Sequence, residues 1–118
     1  MAKNIIKLNR GDSYEFSITI PDKEASYHIL ADTEVIYFAL LYPHQRFEDA
    51  IIIKGYDGTD QSNTGEILVK ITPNDTNNLA PGIYYYTVKL HVGGTPGTIG
   101  DADEVRTIIE RTKFIINE

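Results

Sequence analysis

Apolar and polar residues alternate with a period of two along most of the chain, the pattern of strands with one buried face. Ile5, Ile6 and Leu8 make a short first strand that ends in the turn cluster Asn9-Arg10-Gly11-Asp12-Ser13. Tyr14, Phe16, Ile18 and Ile20 then alternate with Glu15, Ser17 and Thr19 until Pro21-Asp22 stops the strand. Residues 22–32 are polar and mixed, a loop holding at most a short turn of helix. The run Val35 to Tyr42 departs from simple alternation. Ile36, Phe38 and Leu40 stand opposite Val35, Tyr37, Ala39 and Leu41, so the strand is apolar on both faces. Such a strand is either central and covered on both sides or has its outer face hidden by a partner. Its β-branched and aromatic content favours strand over helix, and Pro43 ends it.

Ala50 to Lys54 forms a further strand, and Gly55 to Gly65 a long polar connection. Ile67, Val69 and Ile71 resume the alternation, which closes at Pro73-Asn74-Asp75. Turn chemistry from Asp75 to Asn78 and at Pro81-Gly82 introduces the longest strand signal. There Tyr84, Tyr86, Val88, Leu90 and Val92 lie on one face, and Tyr85, Thr87, Lys89 and His91 on the polar one. The spacing Leu79-x-Pro81-Gly82-x-Tyr84 matches the corner of β-sandwich domains, where a tyrosine at a strand start bonds back to upstream backbone. After a loop from Gly93 to Asp103, the phase of Val105 to Ile116 slips between Ile109 and Phe114, which implies a bulge or tight turn. These elements predict one all-β domain over residues 1–118, an immunoglobulin-like β-sandwich of about seven antiparallel strands. A jelly roll or an open barrel is the alternative.

Charge and composition narrow the partners. With 11 basic against 17 acidic residues the net charge is −6, which argues against nucleic acid and against an anionic membrane surface. The absence of cysteine removes disulfides and thiolate chemistry. No apolar run approaches the roughly twenty residues of a membrane helix, and no apolar segment follows a basic start as in a secretory signal.

Candidate chemistry is sparse. His28, His44 and His91 share no metal-ligand spacing and read as solvated or capping residues. Asp57, Asp60, Asn63 and Glu66 gather oxygens in one loop, but their spacing departs from an alternating calcium loop, so a solvated connection is expected. Asp101, Asp103 and Glu104 read the same way. Arg10-Gly11-Asp12 spells an adhesion tripeptide, although Gly-Asp is also what a turn between strands requires. Eight tyrosines with no tryptophan make rings the main candidates for recognition: Tyr84 as the corner residue, Tyr86 as core, and Tyr42, Tyr56 and Tyr85 as an interaction surface or sugar-stacking platform. No motif sets out a nucleophile, a phosphate loop or a carboxylate pair, so no catalytic, cofactor-binding or metal residues are assigned and the chain is expected not to be an enzyme.

Residues 5 to 116 resemble the N-terminal immunoglobulin-like domain of phage baseplate upper proteins and related tail-associated β-sandwich domains. The resemblance lies in the order of Arg10-Gly11-Asp12-Ser13 with the Phe16/Ile18/Ile20 strand, then Asp32-Thr33-x-Val35-x-Tyr37-Phe38. Next come Pro73-x-Asp75-Thr76-x-x-Leu79-x-Pro81-Gly82-x-Tyr84-x-Tyr86 and finally Val105-x-Thr107-Ile108 with Phe114-Ile115-Ile116. It implies a non-enzymatic structural adaptor of a phage tail or baseplate, made in the bacterial cytoplasm without a signal peptide. Its partners would be other virion structural proteins, with a homo-oligomer left open. The chain departs from that family in ending after the domain, without the downstream receptor-binding parts. A carbohydrate-binding or adhesin-type β-sandwich using the exposed tyrosines is the alternative.

Overall fold

The computed structural model describes residues 5–20, 28–93 and 102–118, so the expectations for 21–27 and 94–101, Asp101 included, lie outside the described residues. Among the described residues seven strands follow in chain order: β1 (Ile6–Asn9), β2 (Tyr14–Ile18), β3 (Glu34–Leu41), β4 (Ile52–Tyr56), β5 (Ile67–Ile71), β6 (Gly82–Val92) and β7 (Glu104–Asn117). They form a five-stranded mixed sheet in the order β1-β7-β6-β3-β4 and a two-stranded antiparallel sheet of β2 and β5. The fold is therefore all-β, as the alternation predicts. Among the described residues, helix is confined to α1 (Pro73–Thr76) and two single 3-10 turns, Phe47–Asp49 and Gly58–Asp60.

Both sheets feed one core. From the large sheet come Ile6, Leu8, Ile36, Phe38, Leu40, Tyr84, Tyr86, Val88, Leu90, Phe114 and Ile116; from the small one and its flanks Ile18, Ile20, Ile67, Val69 and Ile71. These are the apolar members of each alternating set, as a one-face-buried strand requires. Aromatic rings tie the layers together: Phe16 of β2 lies 5.9 Å from both Phe38 and Tyr86, the first contact edge-on. The corner is formed, with the Tyr84 hydroxyl donating to the Ala80 carbonyl at 2.6 Å and Leu79 buried beneath it.

Three sequence expectations change. The strands are not all antiparallel, because β1 runs parallel to β7, Ile6 opposite Phe114 and Leu8 opposite Ile116. A tight hairpin would have set β1 beside β2. Instead Gly11, at φ 89°, turns the chain towards the other sheet while its N–H donates to Thr76 Oγ1 at 3.0 Å. A Cβ here would also meet Asn77 Oδ1 at 3.0 Å. The Arg10-Gly11-Asp12 tripeptide is thus a docked turn, held further by Arg10 N–H donating to the Asn117 carbonyl at 2.7 Å.

The second change is at β4, which begins at Ile52 and runs through Gly55 and Tyr56 rather than stopping at Lys54. Gly55 faces Tyr37, whose ring would stand 3.1 Å from any Cβ at that position. The glycine is there for the tyrosine, not for a turn. Third, Pro73–Thr76 is a helical turn, because Asp75 Oδ2 accepts the Thr72 N–H at 2.7 Å in a capping box. The phase slip in the last segment is a bulge, one of the two readings its pattern allows, within one continuous strand: β7 shifts register against β6 on both sides of Val88. Thr87 Oγ1 donates to the Ile109 carbonyl there at 2.7 Å.

Asp75 also receives Lys54 Nζ at 2.9 Å, pinning edge strand β4 to α1. Burial pushes the Asp75 carboxyl up, but the Thr72 N–H and the Lys54 ammonium outweigh it and hold it below the usual aspartate range. A carboxylate depressed in the folded state stabilises above its unfolded pKa of about 3.9, and that contribution is lost as pH falls through the folded value. Asp75→Asn is expected to cost about 1–2 kcal/mol at neutral pH and to flatten the acid limb of stability against pH. Urea denaturation between acid and neutral pH measures both; an unchanged acid limb would remove Asp75 from the account.

Candidate functional site

Chemistry-bearing side chains gather on the outer face of the large sheet, the face turned away from the core. Alternation and register place Tyr37, Ala39 and Leu41 of β3 there, with His91, Lys89, Thr87, Tyr85 and Ile83 of β6, and Arg111, Lys113 and Ile115 of β7. The β3–β4 connection divides this face in two. Its 3-10 turn lowers Phe47 onto the sheet, forming a second small core with Tyr37, Ala39 and Leu41 and with half-buried Val35, Ala50 and Ile53. His91 packs between rings, 4.8 Å from Tyr37 and 5.6 Å from Phe47, and Lys89 Nζ lies 5.0 Å over the Phe47 ring. His91 is only 5% exposed, so it is an interior residue and not the solvated one its place on the polar face suggests. The two-faced strand is covered by its own following loop.

Beyond that loop the face is open. Ile83, opposite Ile115, is 51% exposed, and Tyr85, opposite Lys113, is half-buried. Between them and the loop lies an open groove of about 470 Å³, lined by Pro43, His44, Gln45, Arg46, Tyr85 and Arg111. Its floor is built by polar ties. The Arg111 guanidinium donates to the Gln45 carbonyl, the Gln45 amide donates to the Asp49 carbonyl, and Gln45 Oε1 accepts the Tyr42 N–H at 3.0 Å. His44 holds a left-handed backbone, φ 66°, uncommon for a non-glycine residue and needed here to turn the chain after Pro43. Arg46 pairs with Asp49 at 3.4 Å.

The three candidate tyrosines do not meet. Tyr85 lines the groove, whereas Tyr42 leans on the corner residue Tyr84 with ring centroids 5.5 Å apart. Tyr56 lies opposite Ile36, packed against the inner core. Tyr42 stands six positions after Ile36, just beyond β3, about 20 Å along the chain. No shared stacking platform exists among them.

The other candidates serve their own loops. Asp57 Oδ1 accepts the Thr59 N–H at 2.9 Å, and Asp60 Oδ2 accepts the Asp57 N–H at 3.0 Å, a capping box. The Thr59 hydroxyl and N–H hold the Asp57 carboxyl below its usual range. Glu66 Oε1 accepts from the Thr64 hydroxyl at 3.0 Å. A second hollow of about 310 Å³ beside this loop is lined by Leu30, Ala31, Asp32, Asp57, Gly58 and Thr59. Among the described residues no three His, Cys, Asp or Glu side chains come together as a metal-holding group. His28 Nε2 sits 2.8 Å from Glu34 Oε1, which also accepts the Ala31 N–H at 2.7 Å.

Sequence reasoning missed His44, Arg46, Arg111, Lys113, Ile83 and Ile115 as one surface. The signal was present for β7: Arg111, Lys113 and Ile115 alternate with buried Thr112, Phe114 and Ile116. Nothing in the sequence joins that face to the loop after β3. Compared with known proteins, the chain matches no family model, no curated protein and no solved structure.

Phe47→Ala is expected to uncover Tyr37 and Leu41 and to cost about 3 kcal/mol, within the range for removing a packed phenylalanine. Urea denaturation gives the loss, and a hydrophobic dye should report new apolar surface. A cost under about 1 kcal/mol would mean that the loop does not hold the face closed.

Proposed function

We propose that this chain is a non-enzymatic structural module of a phage particle, an immunoglobulin-like β-sandwich that acts in tail or baseplate assembly through protein–protein contacts. The observation that carries the contact part is the open half of the outer sheet face. There an apolar pair, Ile83 and Ile115, adjoins Tyr85 and the basic groove on a face whose other half is sealed by Phe47. An apolar pair, exposed at Ile83 and half-buried at Ile115, beside an aromatic ring and arginines has the composition of a protein-binding patch. The particle context rests on the ordered motifs from Arg10 to Ile116. The Tyr84–Ala80 corner bond and the core shared between the two sheets support the sandwich reading. The glycan-binding alternative loses support, because Tyr42, Tyr56 and Tyr85 stand on different parts of the surface.

Particles purified from cells carrying the encoding genome should contain the chain in their tail or baseplate fraction, at a copy number set by the symmetry of that assembly. Quantitative mass spectrometry of gradient-purified particles and separated tails measures this. A chain found only in the unassembled cell lysate would contradict the virion reading.

A further inference from the structure

The open half of the outer face has a charge opposite to that of the protein. The chain as a whole carries −6. Yet around Ile83, Ile115 and Tyr85 the sheet sets Lys7 opposite Ile115, Lys113 opposite Tyr85, and Arg111 in the groove with His44 and Arg46. The carboxylates of this neighbourhood that the β3–β4 loop supplies, Glu48 and Asp49, are turned to Arg46 at 4.0 and 3.4 Å. Ile5, 52% exposed, precedes β1 in the same alternation as Lys7 and extends the apolar rim.

Resting on the reading that the chain works through protein contacts, we infer that this face binds an acidic, extended segment of a partner polypeptide. Carboxylates of the segment pair with Arg111 and Lys113, and one of its apolar side chains lies on Ile83 and Ile115. The spacing fits. Arg111, Lys113 and Ile115 are successive outward residues of one strand, about 6.6 Å apart, which is the spacing of alternate side chains in an extended peptide. Arg111 spends one N–H of its fork on the Gln45 carbonyl, which fixes the guanidinium in the groove as a preformed carboxylate receptor. Tyr85, half-buried opposite Lys113 and lining the groove with Arg111, offers a rigid ring to the segment's backbone. Nucleic acid fits worse, because the rest of the molecule would repel a long polyanion.

The test uses the full chain, labelled with nitrogen-15, and three probes: an octapeptide alternating glutamate with leucine, one alternating lysine with leucine, and polyglucuronate. The glutamate peptide should shift the amides of Ile83, Tyr85, Arg111, Lys113 and Ile115 and bind at least about tenfold more tightly than the lysine peptide, a tenfold ratio corresponding to 1.4 kcal/mol. The double variant Arg111→Glu with Lys113→Glu should lose tenfold or more for the glutamate peptide. As a fold control, Lys70→Glu on the small sheet should leave its affinity unchanged. Absence of shifts at those five residues, equal binding of the lysine peptide, or tighter binding of polyglucuronate overturns the inference. These results are separable from the particle assay. A chain present in tails that ignores the glutamate peptide keeps the virion role and loses the acidic partner. A chain absent from particles that binds the peptide does the reverse.

Discussion

Everything in this fold depends on keeping water from both faces of β3. Ile36, Phe38 and Leu40 on one side and Tyr37, Ala39 and Leu41 on the other are all buried, so a single sheet face packed on a core cannot satisfy the strand. The inner side is covered by the small sheet through Ile18, Ile67, Val69 and Phe16. The outer side is covered by the strand's own continuation, which turns at His44 and brings Phe47 down over Tyr37 and Leu41. Burying a phenylalanine side chain is worth about 1.5–3 kcal/mol. That is comparable with the strain of a left-handed non-glycine residue, of order 1–3 kcal/mol.

That solution shapes the neighbours. Gly55 lacks a side chain because the Tyr37 ring lies against β4, and His91 gives up solvent to lie between two rings. Lys89 places its ammonium 5.0 Å over the Phe47 ring. Because one short loop covers only the β3–β4 side of the sheet, the β6–β7 side near Ile83 is left open. The candidate interaction surface is the remainder of a packing problem solved locally. One edge of the sheet carries a device that discourages indiscriminate pairing: Lys54 of edge strand β4 is held by Asp75.

Much of the architecture was legible in the sequence because alternation is a direct consequence of strand geometry. Ile18 to Ile20, Ile67 to Ile71 and Tyr84 to Leu90 bury the residues their phase indicates, although Tyr14, in the same phase as Ile18, is 38% exposed, and Leu79-x-Pro81-Gly82-x-Tyr84 announces its own hydrogen bond. What could not be read depends on contacts between segments far apart in sequence. The parallel pairing of β1 follows from the Gly11 turn docking on Thr76, sixty-five residues away. The fate of His91 depends on Phe47, and a lone aromatic between polar residues gives no periodic signal. The two-faced character of β3 was visible, but whether a loop or a partner covered it was not. Tyr42, Tyr56 and Tyr85 were grouped by residue type alone, and strand register separates them. The groove arises where a loop meets a strand sixty-six residues later, Gln45 against Arg111, which no local pattern encodes.

The central claim is that the outer face of the large sheet is divided into a sealed half under Phe47 and an open half around Ile83. Hydroxyl-radical footprinting of the folded chain, read residue by residue by mass spectrometry, tests it most directly. The account predicts modification of Ile83, Tyr85 and Ile115 with protection of Tyr37, Leu41 and Phe47. Equal modification of both groups, or protection of Ile83 and Ile115 in a chain shown to be monomeric, would contradict it.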